Sequence, residues 1–237
     1  MVVTTEPRVL KHQIVRGSLD AMLDGMSAGD AFPSERDLAD RYDVSRETLR
    51  QAIRELLVAG RIERRGRATV VAEPKVVLPL AIGSYTEAAR EKGMSATRIL
   101  VGWDTFRADD ALADLLGIDV GSEVVQLERV FTTGDVRVGL ETTRIPAHRI
   151  PGLPDSFDHR TSLYAELRTR GITFGRVVDT IETVLPDARE AALLTVDTRT
   201  PMFLLGRVSY DTDGSPIEHR RSLYRGDRMT FTAVMDA

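Results

Sequence analysis

The chain contains no cysteine, and that absence removes disulfides, thiolate metal sites and a cysteine nucleophile together. Histidine is nearly as scarce. His12, His148, His159 and His219 are scattered with no H-x-x-x-H pair, so no metal is expected. No stretch approaches the ~18 apolar residues of a membrane span. The opening MVVTTEPRVLKHQ also lacks the apolar core of a signal segment, so a cytoplasmic protein with no membrane partner is the expectation. No Ser-His-Asp set, metal-ligand set or Gly-rich phosphate loop with lysine is apparent. Neither catalysis nor a cofactor is therefore expected. Lysine is rare as well, with only Lys11, Lys75 and Lys92, so arginine carries the positive charge.

What is present is ordinary in amount and uneven in placement. A length of 237 residues with 42% apolar and 29% charged content suits a folded protein of one large or two modest domains. The net charge is −4, yet Val44 to Val70 holds seven Arg against three Glu, or +4, leaving −8 for the remainder. A basic concentration of this kind outweighs the overall sign as a guide to a nucleic-acid partner.

That basic stretch lies inside PSERDLADRYDVSRETLRQAIRELLVAGRIERRGRATVV, residues 33–71. Ser34, with Asp37 three residues on, reads as the cap of a short helix carrying Leu38, Ala39 and Tyr42. Asp43-Val44 turns the chain, and Ser45 caps a second helix with Leu49, Ile53, Leu56 and Leu57 as its apolar stripe. Gly60 is placed to end it. Arg61 to Arg64 and Thr69 to Val71 pair as a hairpin around Arg65-Gly66-Arg67. Upstream, apolar residues from Val9 to Leu23 recur at helical spacing as a scaffold helix, and Ser27 to Phe32 is a connector. This order describes a winged helix-turn-helix, with double-stranded operator DNA as its partner.

A helix that reads the major groove carries its base-contacting side chains in its first turns. Arg46, Thr48 and Arg50 follow the Ser45 cap, and Arg46, Arg50 and Arg54 share one stripe at i, i+4, i+8 spacing. Guanidinium forks suit guanine edges and phosphate oxygens alike. Arg36 begins the preceding helix, and the Gly66-Arg67 tip suits a minor groove. The competing reading is that these arginines solvate a helix, with Glu47 and Arg50 pairing at i, i+3.

Glu73-Pro74-Lys75 and Pro79 mark a linker. Beyond it, short helical patterns at 84–92, 108–116, 162–170 and 187–194 alternate with strand-like runs at 97–105, 123–132, 137–145, 177–185, 202–210 and 217–223. Thr-Gly-Asp and Asp-Gly turns join successive strands, which favours antiparallel hairpins. The expectation is an α+β protein with a DNA-binding domain over 1–73, a linker over 74–79 and a second domain over 80–237. An internal echo runs through that domain: Leu115-Leu116, Arg129, Gly134 and Glu141 recur in order as Leu193-Leu194, Arg207, Gly214 and Glu218. Two helix-hairpin units would close a sheet around a cavity.

The run from Pro33 to Arg65 closely resembles the helix-turn-helix of GntR-type bacterial transcription regulators. The resemblance implies that Arg36, Arg46, Thr48, Arg50 and Gly66 contact DNA. It departs at the wing, where the family pattern G-x-G-T-[FY]-V is shortened to Gly66-Arg67-Ala68-Thr69-Val70. Residues 78–237 resemble the UTRA effector domain of the HutC subfamily, which has a chorismate-lyase-like antiparallel-sheet fold. The matching stretches are Ser84-Tyr85-Thr86-Glu87 with Gly93-Met94, Leu127-Glu128-Arg129, Glu141-Thr142-Thr143, Thr161-Ser162-Leu163-Tyr164 and Ser222 to Arg228. They imply effector-binding roles for Ser84, Tyr85, Arg129, Glu141, Ser162, Glu218, Tyr224 and Arg225. Members that sense phosphorylated amino sugars carry a second arginine where this chain has Phe131.

The residues themselves leave several of these roles open. Val125, Leu127, Arg129 and Phe131 share a strand face, so Arg129 is a charge among apolar neighbours and needs an anion. Glu141, Glu218 and a bound phosphate or carboxylate all qualify. Ser84 and Ser162 suit either an anion or a plain helix cap. Glu141, beside Arg137 and Thr143, has solvent exposure as its alternative, while Tyr224 and Arg225 either line a cavity mouth, close a hinge or pack. The expected mechanism is a homodimeric repressor, pivoting at 73–79, that a small and anionic metabolite releases from DNA. The alternatives are a chorismate-lyase-like enzyme and a metabolite-binding protein without a transcriptional role.

Overall fold

The computed structural model describes residues 10–80 and 96–235 and divides at Lys75/Val76 into two compact units. In the first, α1 (Lys11–Leu23), α2 (Glu35–Arg41) and α3 (Arg46–Ala59) precede the hairpin β1 (Ile62–Arg65) and β2 (Ala68–Val71). The periodicity of α1 and α3 fixes the core: Val15, Leu19 and Leu23 bury against Leu49, Ala52, Ile53 and Leu56, with Leu38 from α2 and Ile62 from β1. Ser34 caps α2 by accepting from the Asp37 amide, and Ser45 caps α3 by accepting from the Thr48 amide. Each cap satisfies an amide that the first helical turn leaves without an intrahelical partner. The expected connector does more than connect. Gly29 and Phe32 donate backbone hydrogen bonds to Val71 and Thr69, and Ala31 bridges to Val70, so this segment lies against the hairpin as a third extended piece.

The second unit contains a six-stranded antiparallel sheet of order β4-β5-β6-β9-β8-β7. Its strands are β4 (Ala96–Arg107), β5 (Glu123–Thr133), β6 (Val136–Pro146), β7 (Arg176–Val184), β8 (Met202–Tyr210) and β9 (Pro216–Arg225). The echo in the sequence is a structural repeat. Helix α4 (Asp110–Leu116) precedes the β5-β6 hairpin, and α7 (Ala188–Leu194) precedes the β8-β9 hairpin. Asp109 and Asp187 cap them in the same way, and Gly117 and Thr195 end them in the same left-handed conformation. The halves meet along β6 and β9, and each helix packs on the opposite half: α4 on β9, α7 on β6. The expected closure is corrected, because β4 and β7 do not pair with each other and, among the described residues, are the two edges of an open sheet.

The short helices α5 (Leu153–Ser156) and α6 (Leu163–Thr169) cover Val125, Leu127, Ile145 and Ile217. A separate parallel pair joins β3 (Val76–Pro79) to β10 (Met229–Thr232). This pair corrects the expected linker over 74–79. Residues 76–79 are a strand whose apolar Val76 and Leu78 pack with Phe131, Tyr224 and Met229. Pro79 is tolerated because it ends a strand at an edge. Ala72 donates to Arg61 in the first unit and Val76 donates to Arg228 in the second, so only Glu73, Pro74 and Lys75 lie between the two anchored amides.

Candidate DNA interface and effector site

The first site is exposed. Arg36, Arg46 and Arg67 are open to solvent and, among the described residues, form no ion pair. Ser45 and Thr48 sit at the start of α3, their hydroxyls 2.9 Å apart. Gly66 takes φ +62° in the two-residue connection between β1 and β2, a conformation a side chain disfavours, and this leaves Arg67 at the tip. Arg50 differs from Arg46: its Nε donates to Glu35 of α2 at 2.9 Å, and Arg64 lies 3.9 Å from the same carboxylate. Arg54 is bound to Glu47 and Gln51. The expected Glu47–Arg50 pair is corrected, since Glu35 holds Arg50 across the helix-turn-helix and Glu47 engages Arg54 instead. The stripe therefore contains one uncommitted guanidinium, at Arg46, and two already engaged.

The second site is buried. Strand register aligns Arg129, Glu141 and Ser222 in one row across β5, β6 and β9. It aligns Arg98, Phe131, Gly139 and Tyr224 in another, and Thr143, Arg220 and Arg207 in a third. Arg129 is 1% exposed and donates to Glu141 at 2.7 Å, so Glu141 is its partner and Glu218 is not. Its Nη1 also donates to the carbonyls of His159 and Thr161, at 3.3 and 3.2 Å. Glu141 is itself buried, which corrects its solvent-exposed alternative, and Arg220 approaches its other oxygen at 3.5 Å. Burial pushes the Glu141 carboxyl up, but Arg129, Arg220 and Arg98 together hold it below the usual carboxylate range.

Glu218 lies nearby with different partners: Ser209 donates to it at 2.9 Å and the Tyr164 hydroxyl donates to the same oxygen. The Arg220 guanidinium stands 4.9 Å above the Tyr164 ring, a cation–π arrangement in a dry setting. Arg207 is matched bidentately by Asp179, both contacts at 2.6 Å. Tyr224 stacks on Phe131 with ring centroids 6.2 Å apart, across Gly139 of the intervening strand. Glycine is required there: a Cβ on residue 139 would stand 2.7 Å from the Tyr224 ring.

Not every expected residue joins this cluster. Ser162 caps α6 by accepting from the Ala165 amide. Arg225 follows Tyr224 on the strand and so points to the opposite face. There it is held by Asp227 and by the carbonyl of Arg137, a fastening of the β9 end rather than part of the cluster. Ser84 and Tyr85 lie outside the described residues, as does the helix expected over 84–92. Conversely, Arg98 and Arg220 join the cluster although neither is among the residues the sequence singles out. Their alternation with Leu100 in β4, and with Glu218, Ser222 and Tyr224 in β9, is the signal that reveals them once the facing strands are known.

Family models match the two halves of the chain separately. Residues 10–71 match the description "Bacterial regulatory proteins, gntR family", and residues 91–230 match the UTRA domain. The chain is 66% identical over 237 residues to the HTH-type transcriptional repressor PhnF of Mycolicibacterium smegmatis, covering 100% of this chain and 97% of that one. The chain belongs to the GntR family of bacterial transcription regulators, in its UTRA-containing branch. It is 31% identical to the repressor NagR of Bacillus subtilis, over 96% of this chain and 91% of that one. The crystal structure of PhnF from Mycobacterium smegmatis superposes with TM-score 0.71 at 67% identity, covering 94% of this chain and 99% of that one. The chain is a GntR-family transcriptional repressor, not an enzyme, and DNA and a small molecule are its fitting partners. No helix among the described residues is long and apolar enough to cross a membrane.

Proposed function

We propose that this GntR-family repressor binds a palindromic operator as a homodimer and releases it when a small anionic effector enters the Arg129–Glu141–Arg220 cluster. The effector class is a metabolite bearing a phosphate or phosphonate group. The observation that carries this reading is charge: among the described residues Arg98, Arg129 and Arg220 are buried together, against Glu141 and Glu218. Burying a cation without a matching anion is expensive, so such a surplus favours an anionic occupant. Effector binding would act through differential affinity for DNA-competent and DNA-incompetent states. The short span from Ala72 to Val76 supports transmission, because β3 belongs to the packing that contains Phe131 and Tyr224.

The test uses the full-length chain to select its duplex from a random pool, followed by titration of the complex with inorganic phosphate, methylphosphonate, glucosamine 6-phosphate and acetate. Release by at least one phosphorus oxyanion is expected. An intact complex with all three phosphorus compounds overturns the effector reading. Sedimentation of the free chain as a monomer at micromolar concentration overturns the dimer.

A further inference from the structure

Arg98 is the least compensated charge in the buried cluster. It is 4% exposed, and its one hydrogen-bond acceptor among the described residues is the Thr161 carbonyl, 2.8 Å from Nη1. It forms no ion pair there, whereas Arg129 and Arg220 both reach Glu141 and Arg207 has Asp179. Its guanidinium lies over the Phe131 ring at 5.2 Å, its register partner on β5. The Nε atoms of Arg98, Arg129 and Arg220 are all buried without a hydrogen-bond partner among the described residues. Burial first, and then repulsion from Arg129, pushes Arg98 down to about 10. A buried donor of this kind leaves hydrogen bonds that an added acceptor can satisfy.

We propose that Arg98 determines effector specificity, its free guanidinium edge gripping a tetrahedral phosphorus oxyanion alongside Arg129. This rests on the cluster being the effector site. Arg129 is committed to Glu141, so the charge and donor pair left for the ligand belong chiefly to Arg98. The Phe131 ring lies against the guanidinium, and a planar fork matches two oxygens of a phosphate or phosphonate group. A carboxylate also presents two oxygens to one fork, but it carries less charge than a phosphate dianion and has no third oxygen for Arg129, so weaker binding of it is expected. Free phosphate, an alkylphosphonate and a phosphomonoester share this chemistry, and direct titration separates them.

The experiment is calorimetric titration of the full chain with inorganic phosphate, methylphosphonate, glucosamine 6-phosphate and acetate, repeated on Arg98→Met and Arg98→Lys. The parent is expected to bind one of the phosphorus compounds in preference to acetate. Loss of one charge-assisted contact is expected to weaken that binding about ten- to hundred-fold in Arg98→Met. Arg98→Lys keeps the charge but not the fork, so it is expected to lose affinity and much of the preference over acetate. Should Arg98→Met fail to fold, Arg98→Lys decides alone. Parent-like affinity and preference in either folded variant overturn the role of Arg98 while leaving the effector site standing. No binding of any phosphorus compound by the parent overturns both.

Discussion

The recognition helix and the central sheet of the second unit are both built around arginine, and they use it in opposite ways. Arg36, Arg46 and Arg67 stand in water without carboxylate partners among the described residues. Arg98, Arg129, Arg207 and Arg220 are nearly excluded from water, and three of them lean on carboxylates. In water an uncommitted guanidinium costs little and remains available to a polyanion, with affinity sensitive to salt. In the sheet the same group must be matched, and any shortfall becomes a preference for an anionic ligand. The role of an arginine here is set by its solvent and its partners, not by its identity.

The largest expected effect comes from removing the shared carboxylate. Glu141→Gln leaves Arg129 and Arg220 facing a neutral amide in a buried site, and loss of one partner of a buried pair typically costs ~3–5 kcal/mol. Urea unfolding should show that deficit. A midpoint unchanged from the parent would mean that the buried arginines are hydrated and that the contrast between the two regions is false.

The matching change in the exposed region should separate function from stability. Arg46→Ala is expected to weaken operator binding by about 1–3 kcal/mol, as for a base-contacting arginine, while the melting temperature stays at the parent value. Gel shifts across a salt series measure the first and thermal unfolding the second. A stability loss comparable to that of Glu141→Gln would show that Arg46 is structural after all.

The smallest effect concerns a cation that gives up its charge instead of pairing. His219 is half-buried on β9 beside Arg220, its Nδ1 has no hydrogen-bond partner, and burial followed by Arg144 pushes it below 6.5. The unfolded chain therefore takes up the proton first as pH falls. Its contribution is fully present above pH 6.5 and is lost as pH drops below that value. Comparing stability curves from pH 8 to 5, about the span over which histidine titrates, His219→Gln should lose less stability on acidification than the parent. Parallel curves would remove His219 from the account.

Legibility in the sequence followed the range of the interactions. Ser34 and Ser45 declare their helices because each cap bonds an amide three residues away. The hairpins around Gly134 and Gly214 declare themselves through turn residues, and the halves of the repeat through Asp109 and Asp187 at their caps. The strand at Val76–Pro79 reads as linker because Pro74 before it and Pro79 at its end are local breakers, whereas its partner Met229–Thr232 lies about as far away in sequence as the domain allows. Arg225 shares with Tyr224 the stretch Ser222 to Arg228 that carries the resemblance, although a strand sends neighbours to opposite faces.

The sequence by itself determined the winged helix-turn-helix, its exposed arginines, the order of helices and strands, and membership of a regulator family. Those features depend on caps, turns and periodicities that span a few residues. Only the tertiary structure decided which carboxylate Arg129 meets, that Glu141 is buried between two guanidiniums, and that Arg98 lies over Phe131 with its Nε unmet. Each of these depends on strand register across the sheet, where a slip of one residue would turn every side chain to the other face.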